Sequence, residues 1–335
     1  MTSASHDLIT IGRVSMDLFA EDIGANFTDI TGFETGVGGS PSNIAIGSSR
    51  LGLKTALLTA VGDDEVGKFV LNYLQKESID IRFIPRKAEA RTGMAVVGVQ
   101  PPDKFPLVFY REDPADIHLT LDDAIKLPIA TSRALQLSGT ALSRGTCRDV
   151  TLYAAEEATR HSVTTFMDLD LRPDQWSHPL TYGLNIRAVV SHLDVIIGTE
   201  EECYAAFAPI PNSVMEGKQI TDLQKAEVES ILRSLADQRD GPHTVVLKRG
   251  AKGVTIIEQG NKSFDIPGYP VKVLNTVGAG DAFASGLIYG YLQDMGWEQA
   301  AQFANACGAI VVTRHGCGTA MPTKKEVTDF MTVRR

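Results

Sequence analysis

The sequence predicts an α/β protein built on a mostly parallel β-sheet with helices on both faces. From Arg133 onward, short β-prone runs alternate with longer helical patterns, and such serial alternation is typical of a parallel sheet. A further strand is predicted near the N-terminus at Leu8–Ile11. The β-prone runs at residues 92–99 and Leu107–Tyr110 do not fit the alternation. With the segment around residues 19–33, they predict a small separate sheet, or lid.

The composition is that of an ordinary globular protein. The chain has 335 residues, 43% hydrophobic and 22% charged, which is enough for one large α/β domain or two ordinary ones. A net charge of −9 argues against a general nucleic-acid or anionic-membrane surface. No apolar run approaches the ~20 residues that span a bilayer. Four scattered cysteines lack metal-ligand spacing, so we expect free thiols and a reducing, cytoplasmic location.

The elements are predicted in order from the period of the apolar residues. Strands of the main sheet are expected at residues 8–11, 54–61, 134–138, 163–169, 195–197 and 244–248, followed by a hairpin at 254–258 and 263–266. Helices are expected at about 41–51, 66–74, 147–161, 220–238 and 282–292, with another beginning at the acidic run of residues 200–202. Residues 212–222 predict a surface loop.

A glycine-rich stretch at residues 275–283 predicts a strand, a tight turn and a helix N-terminus. A β-prone run at 271–274 leads into it and an apolar pattern leads out. Backbone N–H groups at such a terminus have no intrahelical partner and form an anion site. Asp281 then has two interpretations, a helix cap or a general base beside a phosphoryl group. A dinucleotide fingerprint is excluded because Phe283 stands where the third glycine would be.

A second glycine-rich turn, at residues 35–46, feeds another helix. Gly38 and Gly39 allow close backbone approach by a ligand, although tight helix–sheet packing is an alternative. Asn43 lies one turn inside the helix and carries donors and acceptors suited to sugar hydroxyls. Asp17 follows the first strand; it is either solvated or at the sheet edge where ligands bind in open α/β sheets.

Together the two segments resemble the ribokinase/PfkB family of sugar kinases. Residues 38–45, Gly-Gly-Ser-Pro-Ser-Asn-Ile-Ala, resemble its N-terminal signature, and residues 275–283 resemble its C-terminal signature, Asp-Thr-x-Gly-Ala-Gly-Asp. The resemblance runs from about residue 8 to 322. It implies a single domain, residues 1–335, with a ribokinase-like three-layer α/β/α core. A small β-sheet lid would form from about 15–36 and 90–115, and the activity would be transfer of the ATP γ-phosphoryl group to a sugar hydroxyl.

The resemblance also implies site residues. Asp281 is similar to the catalytic base, with backbone amides from Gly278, Ala279 and Gly280. The positions that match the sugar-binding residues are Asp17, Gly38, Gly39 and Asn43. The positions that match nucleotide contacts are Lys248, Gly250, Gly253 and Asn305. Glu201 matches the acid that organises Mg²⁺ indirectly, so ATP and Mg²⁺ are the expected cofactors.

Two departures from the family pattern qualify these expectations. Gly198 stands where the Asn-x-x-Glu motif has its asparagine, which weakens the case for the usual metal–water network. Asn275 stands where most members have an aspartate that helps to form a monovalent-cation site, completed here by residues 309–316. Because one negative charge is lost, activation by a monovalent cation such as K⁺ is not assumed.

Two arginines indicate an acidic sugar. Arg172, in the stretch 170–176, resembles an arginine of members that act on keto sugar acids, where it can meet a carboxylate or the triphosphate. Arg111 faces the same presumed pocket. The full pattern is most similar to the family branch that phosphorylates a deoxy keto sugar acid in myo-inositol catabolism. A 2-keto-3-deoxygluconate kinase, a fructokinase and a non-catalytic sugar sensor remain alternatives. The expected partners are a small-molecule sugar acid and a second copy through the exposed lid, without nucleic acid or membrane.

Overall fold

The computed structural model describes residues 4–101, 104–209, 214 and 218–334. Its strands are β1 Leu8–Ile11, β2 Ser15–Ala20, β3 Phe33–Gly38, β4 Thr55–Leu58, β5 Val61–Gly62, β6 Arg86–Lys87, β7 Met94–Val97, β8 Leu107–Tyr110, β9 Ala134–Ser138, β10 Thr164–Asp168, β11 Val195–Thr199, β12 Thr244–Lys248, β13 Val254–Glu258 and β14 Lys262–Ile266. Its helices are α1 Ser40–Leu51, α2 Glu65–Lys76, α3 Leu121–Ala124, α4 Cys147–Arg160, α5 Pro179–Val189, α6 Glu200–Phe207, α7 Asp222–Ala236, α8 Ala279–Leu292, α9 Gly296–Val311 and α10 Lys324–Val333.

The main sheet has eight strands in the order β14-β13-β12-β11-β10-β9-β1-β4. The six strands from β12 to β4 pair in parallel, and β13 and β14 add an antiparallel hairpin at one edge. The predicted α/β class is therefore confirmed. Because the carboxyl ends of the parallel strands meet at one edge, residues that follow these strands are brought together there.

Helices cover both faces of this sheet and give three layers. Alternate strand side chains enter opposite cores: Ile9 and Ile11 pack in the core beneath α4 to α7, whereas Leu8 packs in the core beneath α1, α2, α8, α9 and α10. This period of two is what a strand buried on both faces requires. No helix in the described part of the chain combines the length and the apolar character that crossing a membrane requires.

A second sheet of four strands, in the order β3-β2-β7-β8, lies apart from the main sheet, and β5 and β6 form a two-stranded ribbon. The small separate sheet is thus confirmed. Asp17 is not at the end of β1, as the sequence suggested; it lies within β2, opposite Gly36 of β3 and Ala95 of β7. Residues 102 and 103 of the turn between β7 and β8 lie outside the described part.

Two local predictions are wrong. The expected strand at 54–61 is broken, because β4 joins the main sheet and β5 pairs with β6 instead. The β-prone run at 271–274 forms no strand. The backbone N–H groups of Leu274 and Asn275 both donate to the carbonyl of Val312, at 2.7 and 3.2 Å, so the run is anchored to the end of α9. Most of the predicted loop at 212–222 lies outside the described residues.

Candidate active site

The N-terminus of α8 forms an open anion site. Gly278 adopts a left-handed φ of +84° before the helix, and a Cβ there would lie 2.5 Å from the Sγ of Cys317. Within the described residues, the N–H groups of Gly278, Gly280 and Asp281 donate to no protein acceptor. Ala279 differs from the expectation because its N–H donates to the carbonyl of Thr276 at 3.3 Å. The free donors are those an anion requires.

Asp281 and Asn43 are brought together across the two glycine-rich segments. The Nδ2 of Asn43 donates to the Oδ2 of Asp281 at 2.7 Å and to the Sγ of Cys317 at 2.9 Å. Burial, with the nearby Asp170 carboxylate, raises the pKa of Asp281, although the bond from Asn43 lowers it. The Oδ1 of Asn43 is buried without a partner in the described residues. Asn43 therefore orients Asp281, a role that its match to a sugar-binding position did not suggest.

Asp17 is buried in β2 beside the second glycine turn. Its Oδ1 accepts a bond from the Oγ of Ser15 at 2.6 Å. Burial raises its pKa to about 6. A Cβ on Gly38 would lie 1.8 Å from the Oδ2 of Asp17, and a Cβ on Gly39 would lie 2.5 Å from the carbonyl oxygen of Arg13. The two glycines thus provide the space in which Asp17 and the chain after β1 fit.

Arg111 does not face an open pocket, which corrects the expectation that it binds the substrate. Its guanidinium is buried and makes a bidentate pair with Asp116, at 2.8 and 2.9 Å. It also donates to the carbonyl of Val14 at 3.0 Å, and Asp116 accepts the N–H of Val14. These bonds hold the chain between β1 and β2.

Arg172 instead shares the carboxylate of Asp170 with Arg13. The Nη2 of Arg172 lies 3.0 Å from one oxygen of Asp170, and the Nη2 of Arg13 lies 3.4 Å from the other. Burial alone would raise the pKa of Asp170, but the two guanidiniums bring it to about 2. Asp170 has a left-handed φ of +32°, and its N–H donates to Asp168. We call Arg13, Asp170 and Arg172 the arginine triad.

Lys248 lies beside the anion site. Its Nζ is 3.2 Å from both carboxylate oxygens of Asp168 and 3.8 Å from Glu202. A Cβ on Gly280 would be 3.3 Å from this Nζ. Burial raises the pKa of Asp168 to about 7, against the opposing effect of Lys248. A lysine held here by two acids adds a positive charge next to the free amides of α8.

The turn from β12 to β13 and its surroundings contain residues that match nucleotide contacts. A Cβ on Gly250 would meet nothing within 4 Å, so its backbone is open to a ligand. Gly253 is explained by packing, because a Cβ there would lie 2.1 Å from the carbonyl oxygen of Ile266. The Nδ2 of Asn305 donates to the carbonyl of Pro267 at 3.1 Å. Gly253 and Asn305 thus hold the hairpin and the loop after it, and their match to nucleotide contacts stays a prediction.

Glu201 is the second residue of α6 and is partly exposed, and it forms no hydrogen bond or ion pair with other described residues. The absent asparagine before it has a physical reason. A Cβ on Gly198 would lie 2.7 Å from the Cδ1 of Leu169 and 3.0 Å from the Sγ of Cys203. The described residues contain no group of three or more His, Cys, Asp or Glu side chains arranged for a metal. Any Mg²⁺ here requires ligands from another source, such as the phosphates of a nucleotide.

A family model for pfkB family carbohydrate kinases matches residues 5–324. The chain belongs to this family. A 5-dehydro-2-deoxygluconokinase of Bacillus anthracis is 34% identical over 328 residues, covering 97% of this chain and 94% of that protein. A PfkB protein from Polaromonas sp. JS666 superposes with a TM-score of 0.76 at 26% identity, covering 97% of this chain and 99% of that chain. A fructokinase from Xylella fastidiosa with bound ATP gives a TM-score of 0.82 at 21% identity, over 98% and 99% of the two chains.

The carbohydrate kinase is therefore a phosphotransferase with a ribokinase-like fold, as its two glycine signatures predicted. Sequence reasoning missed four charged residues at its site, Arg13, Asp168, Asp170 and Glu202. Each follows or ends a strand of the main sheet, or begins the helix after one. Position at the carboxyl edge was the signal that could have found them. Which acid pairs with which base depends on contacts between distant segments, and the sequence pattern does not contain them.

Proposed function

We propose that this kinase transfers the γ-phosphoryl group of ATP to the terminal 6-hydroxyl of 5-dehydro-2-deoxy-D-gluconate. One observation carries the kinase mechanism: Asp281 is oriented by Asn43 at 2.7 Å beside the free amides of α8. The kinase of B. anthracis that bears the name of this substrate supports the choice of sugar. The arginine triad supports an acidic substrate, because a guanidinium matches the geometry of a carboxylate.

Asp281 acts as the general base in this proposal. It accepts the proton of the 6-hydroxyl as the oxygen attacks phosphorus, and the raised pKa of Asp281 strengthens it as a proton acceptor. The N–H groups of Gly278 and Gly280, with Lys248, stabilise the charge of the transferred phosphoryl group. Ala279 supplies no free N–H in this arrangement, since it is bonded to Thr276. Asp17 holds hydroxyls of the sugar.

ATP and Mg²⁺ fit the residues present. The free amides of α8, Lys248 and the open backbone of Gly250 would hold the nucleotide, and Glu201 would bind the water shell of the metal. Mg²⁺ bound in this way supplies charge neutralisation on the phosphates. ATP bound to the X. fastidiosa fructokinase of the same fold supports this choice.

A panel of sugars with coupled detection of ADP tests the proposal. The panel contains 5-dehydro-2-deoxy-D-gluconate, 2-keto-3-deoxygluconate and fructose, and we expect the first to give the highest kcat/KM. Faster turnover of fructose than of either keto acid would overturn the proposed substrate. If no sugar releases ADP but one raises the melting temperature, the chain is a sugar sensor.

We predict that Gly38→Ala raises KM for the sugar by about 10- to 100-fold, since the new Cβ displaces the Asp17 carboxylate from a charged hydrogen bond to the substrate. The matched control is Gly36→Ala in the same strand, where a Cβ would lie 3.4 Å from Thr319. Steady-state kinetics at saturating ATP measure the effect. Equal KM values for the two variants would show that Asp17 is not a sugar contact.

Asn275 predicts activity without a monovalent cation. It is fully buried; its Nδ2 donates to the carbonyl of Gly316 at 2.9 Å, and its Oδ1 accepts the N–H of Val277 at 3.0 Å. The amide thus closes the loop before α8 by itself. We expect equal kcat in K⁺ and in tetramethylammonium buffers. In Asn275→Asp, a carboxylate faces that carbonyl, so activity should become dependent on K⁺. A wild-type enzyme activated severalfold by K⁺ contradicts this interpretation.

We also propose a homodimer through the small sheet. Its edge strands β3 and β8, with the turn before β3, carry apolar side chains that are at least 38% exposed, namely Phe27, Phe33, Leu107, Val108 and Tyr110. Open strand edges with apolar side chains favour pairing with a second copy. A monomeric mass in light scattering at micromolar concentration would contradict it.

The four cysteines are unpaired and buried, which favours a reducing, cytoplasmic location.

A further inference from the structure

Arg13 is a buried arginine with unused hydrogen-bonding capacity. Its side chain is 8% exposed, and its ion pair is a long contact of 3.4 Å to Asp170. Its Nε is buried and has no partner among the described residues. A guanidinium carries five N–H donors, and buried donors are nearly always satisfied. The Nε of Arg111 is also unpartnered among the described residues, but both terminal nitrogens of Arg111 are bonded to Asp116. Arg13 has only its one long contact with a carboxylate, so its terminal nitrogens have more unused capacity.

The arginine triad also has more positive than negative charge. Arg13 and Arg172 share the single carboxylate of Asp170, whereas the neighbouring Arg111 is neutralised by its own partner, Asp116. Other carboxylates lie within electrostatic range, namely Asp17 and Asp281 near Arg13 and Asp168, Glu202 and Asp281 near Arg172. Within the described residues none of them contacts either guanidinium, so Asp170 is the one carboxylate that both arginines touch, and their remaining N–H groups can take a further acceptor.

The position of Arg13 places this charge on the sugar side of the site. Its backbone carbonyl accepts a hydrogen bond from the Oγ of Ser42 at 3.1 Å. The same oxygen would lie 2.5 Å from a Cβ on Gly39. Its guanidinium carbon is 5.6 Å from the ring centroid of Phe109, which belongs to β8 of the small sheet. Arg13 is thus fixed between the glycine turn and the small sheet, on the element that also leads to Asp17.

We propose that Arg13 binds the carboxylate of the acidic sugar together with Arg172 and determines the preference for acids over neutral sugars. The fork of a guanidinium matches a carboxylate bidentately, and the substrate's carboxylate would supply the second acceptor that Arg13 lacks. Arg13 replaces Arg111 as the second arginine of the site. The inference rests on the proposed function, since it requires an acidic substrate.

The experiment compares 5-dehydro-2-deoxy-D-gluconate with its methyl ester, which has the same chain without the negative charge. Arg13→Met removes the guanidinium and keeps an apolar chain against Phe109. We expect kcat/KM for the acid to fall by about 10- to 100-fold, the range for a hydrogen bond between charged groups. The value for the ester and the KM for ATP should stay close to wild type. The control is Arg187→Met in α5, an arginine bonded to the carbonyl of Ala206, which should leave the acid-to-ester ratio unchanged.

Each outcome separates the two proposals. If the wild type prefers the acid and Arg13→Met retains that preference, the role of Arg13 falls and the proposed substrate stands. If the wild type turns over the ester as well as the acid, the carboxylate is not recognised and the role of Arg13 falls, while the proposed substrate is decided by the sugar panel. A rise in the KM for ATP with an unchanged ratio would instead assign Arg13 to the triphosphate. If Arg13→Met does not fold, Arg13→Lys serves as the test, because lysine keeps the positive charge but lacks the planar guanidinium. Its preference for the acid over the ester should fall about tenfold. An unchanged preference would overturn the inference.

Discussion

Replacing Asp281 with asparagine is expected to lower kcat by about 10²- to 10⁴-fold while the KM values for sugar and ATP stay near those of the wild type. The amide keeps the shape of the side chain but cannot accept the proton of the attacking hydroxyl. Because this interaction arises only in the transition state, substrate binding is little affected. Steady-state kinetics with the proposed sugar acid measure both parameters. A loss in kcat of less than tenfold would remove Asp281 from the role of base.

The matched control is Asp17→Asn, which changes a second buried carboxylate in the same site. We expect its main effect on the KM for the sugar. The pH profile gives an independent readout. A base is active when it is deprotonated, so the wild-type rate should fall as pH drops through the pKa of Asp281. Burial and Asp170 raise that pKa above its ordinary value, so the acid limb should lie above the pKa of an exposed aspartate. Asp281→Asn should lose this limb.

The fold could be predicted because its signals are local. Alternating apolar residues defined the strands of the main sheet, and the two glycine turns each precede a helix, α1 and α8, as their sequences indicated. The run at 271–274 shows the limit of such signals. Its residues favour a strand, but the N–H groups of Leu274 and Asn275 bond to the carbonyl of Val312 at the end of α9 instead of to a strand. Tertiary contacts decide in such cases.

The arginines of the site show why sequence reasoning chose one of them wrongly. Arg111 and Arg13 both follow β-prone runs and both carry a charge. What separates them is the partner: Arg111 meets Asp116 only five positions along the chain, where a short 3₁₀ turn folds back. Arg13 meets Asp170 across 157 positions. Neither pairing has a sequence signature, so only the folded structure shows that both terminal nitrogens of Arg111 are bonded to Asp116, whereas Arg13 has a single long contact with Asp170.

Asp170 holds the arginine triad together, and Asp170→Asn is expected to reduce the free energy of unfolding by about 3 kcal/mol. The change leaves two guanidiniums without their shared carboxylate, and breaking a buried pair usually destabilises by about 3–5 kcal/mol. The lower end applies because the side chain of Arg172 is 39% exposed. Asparagine tolerates the left-handed backbone at this position as well as aspartate does. The change in the free energy of unfolding therefore reflects the loss of the negative charge. Urea unfolding at neutral pH measures it.

The control is Asp329→Asn, which removes the carboxylate of an exposed pair with Lys325 and should change the free energy of unfolding by less than about 1 kcal/mol. The pH dependence gives a second check. The pKa of Asp170 is lowered to about 2 in the folded state, against about 3.9 when unfolded. Its stabilisation is therefore fully present above about pH 4 and is lost as pH falls through 2. Asp170→Asn should lack this part of the acid destabilisation. If the variant is as stable as the wild type at neutral pH, Arg13 and Arg172 do not depend on the carboxylate of Asp170, and neighbouring acids such as Asp281 balance their charge instead.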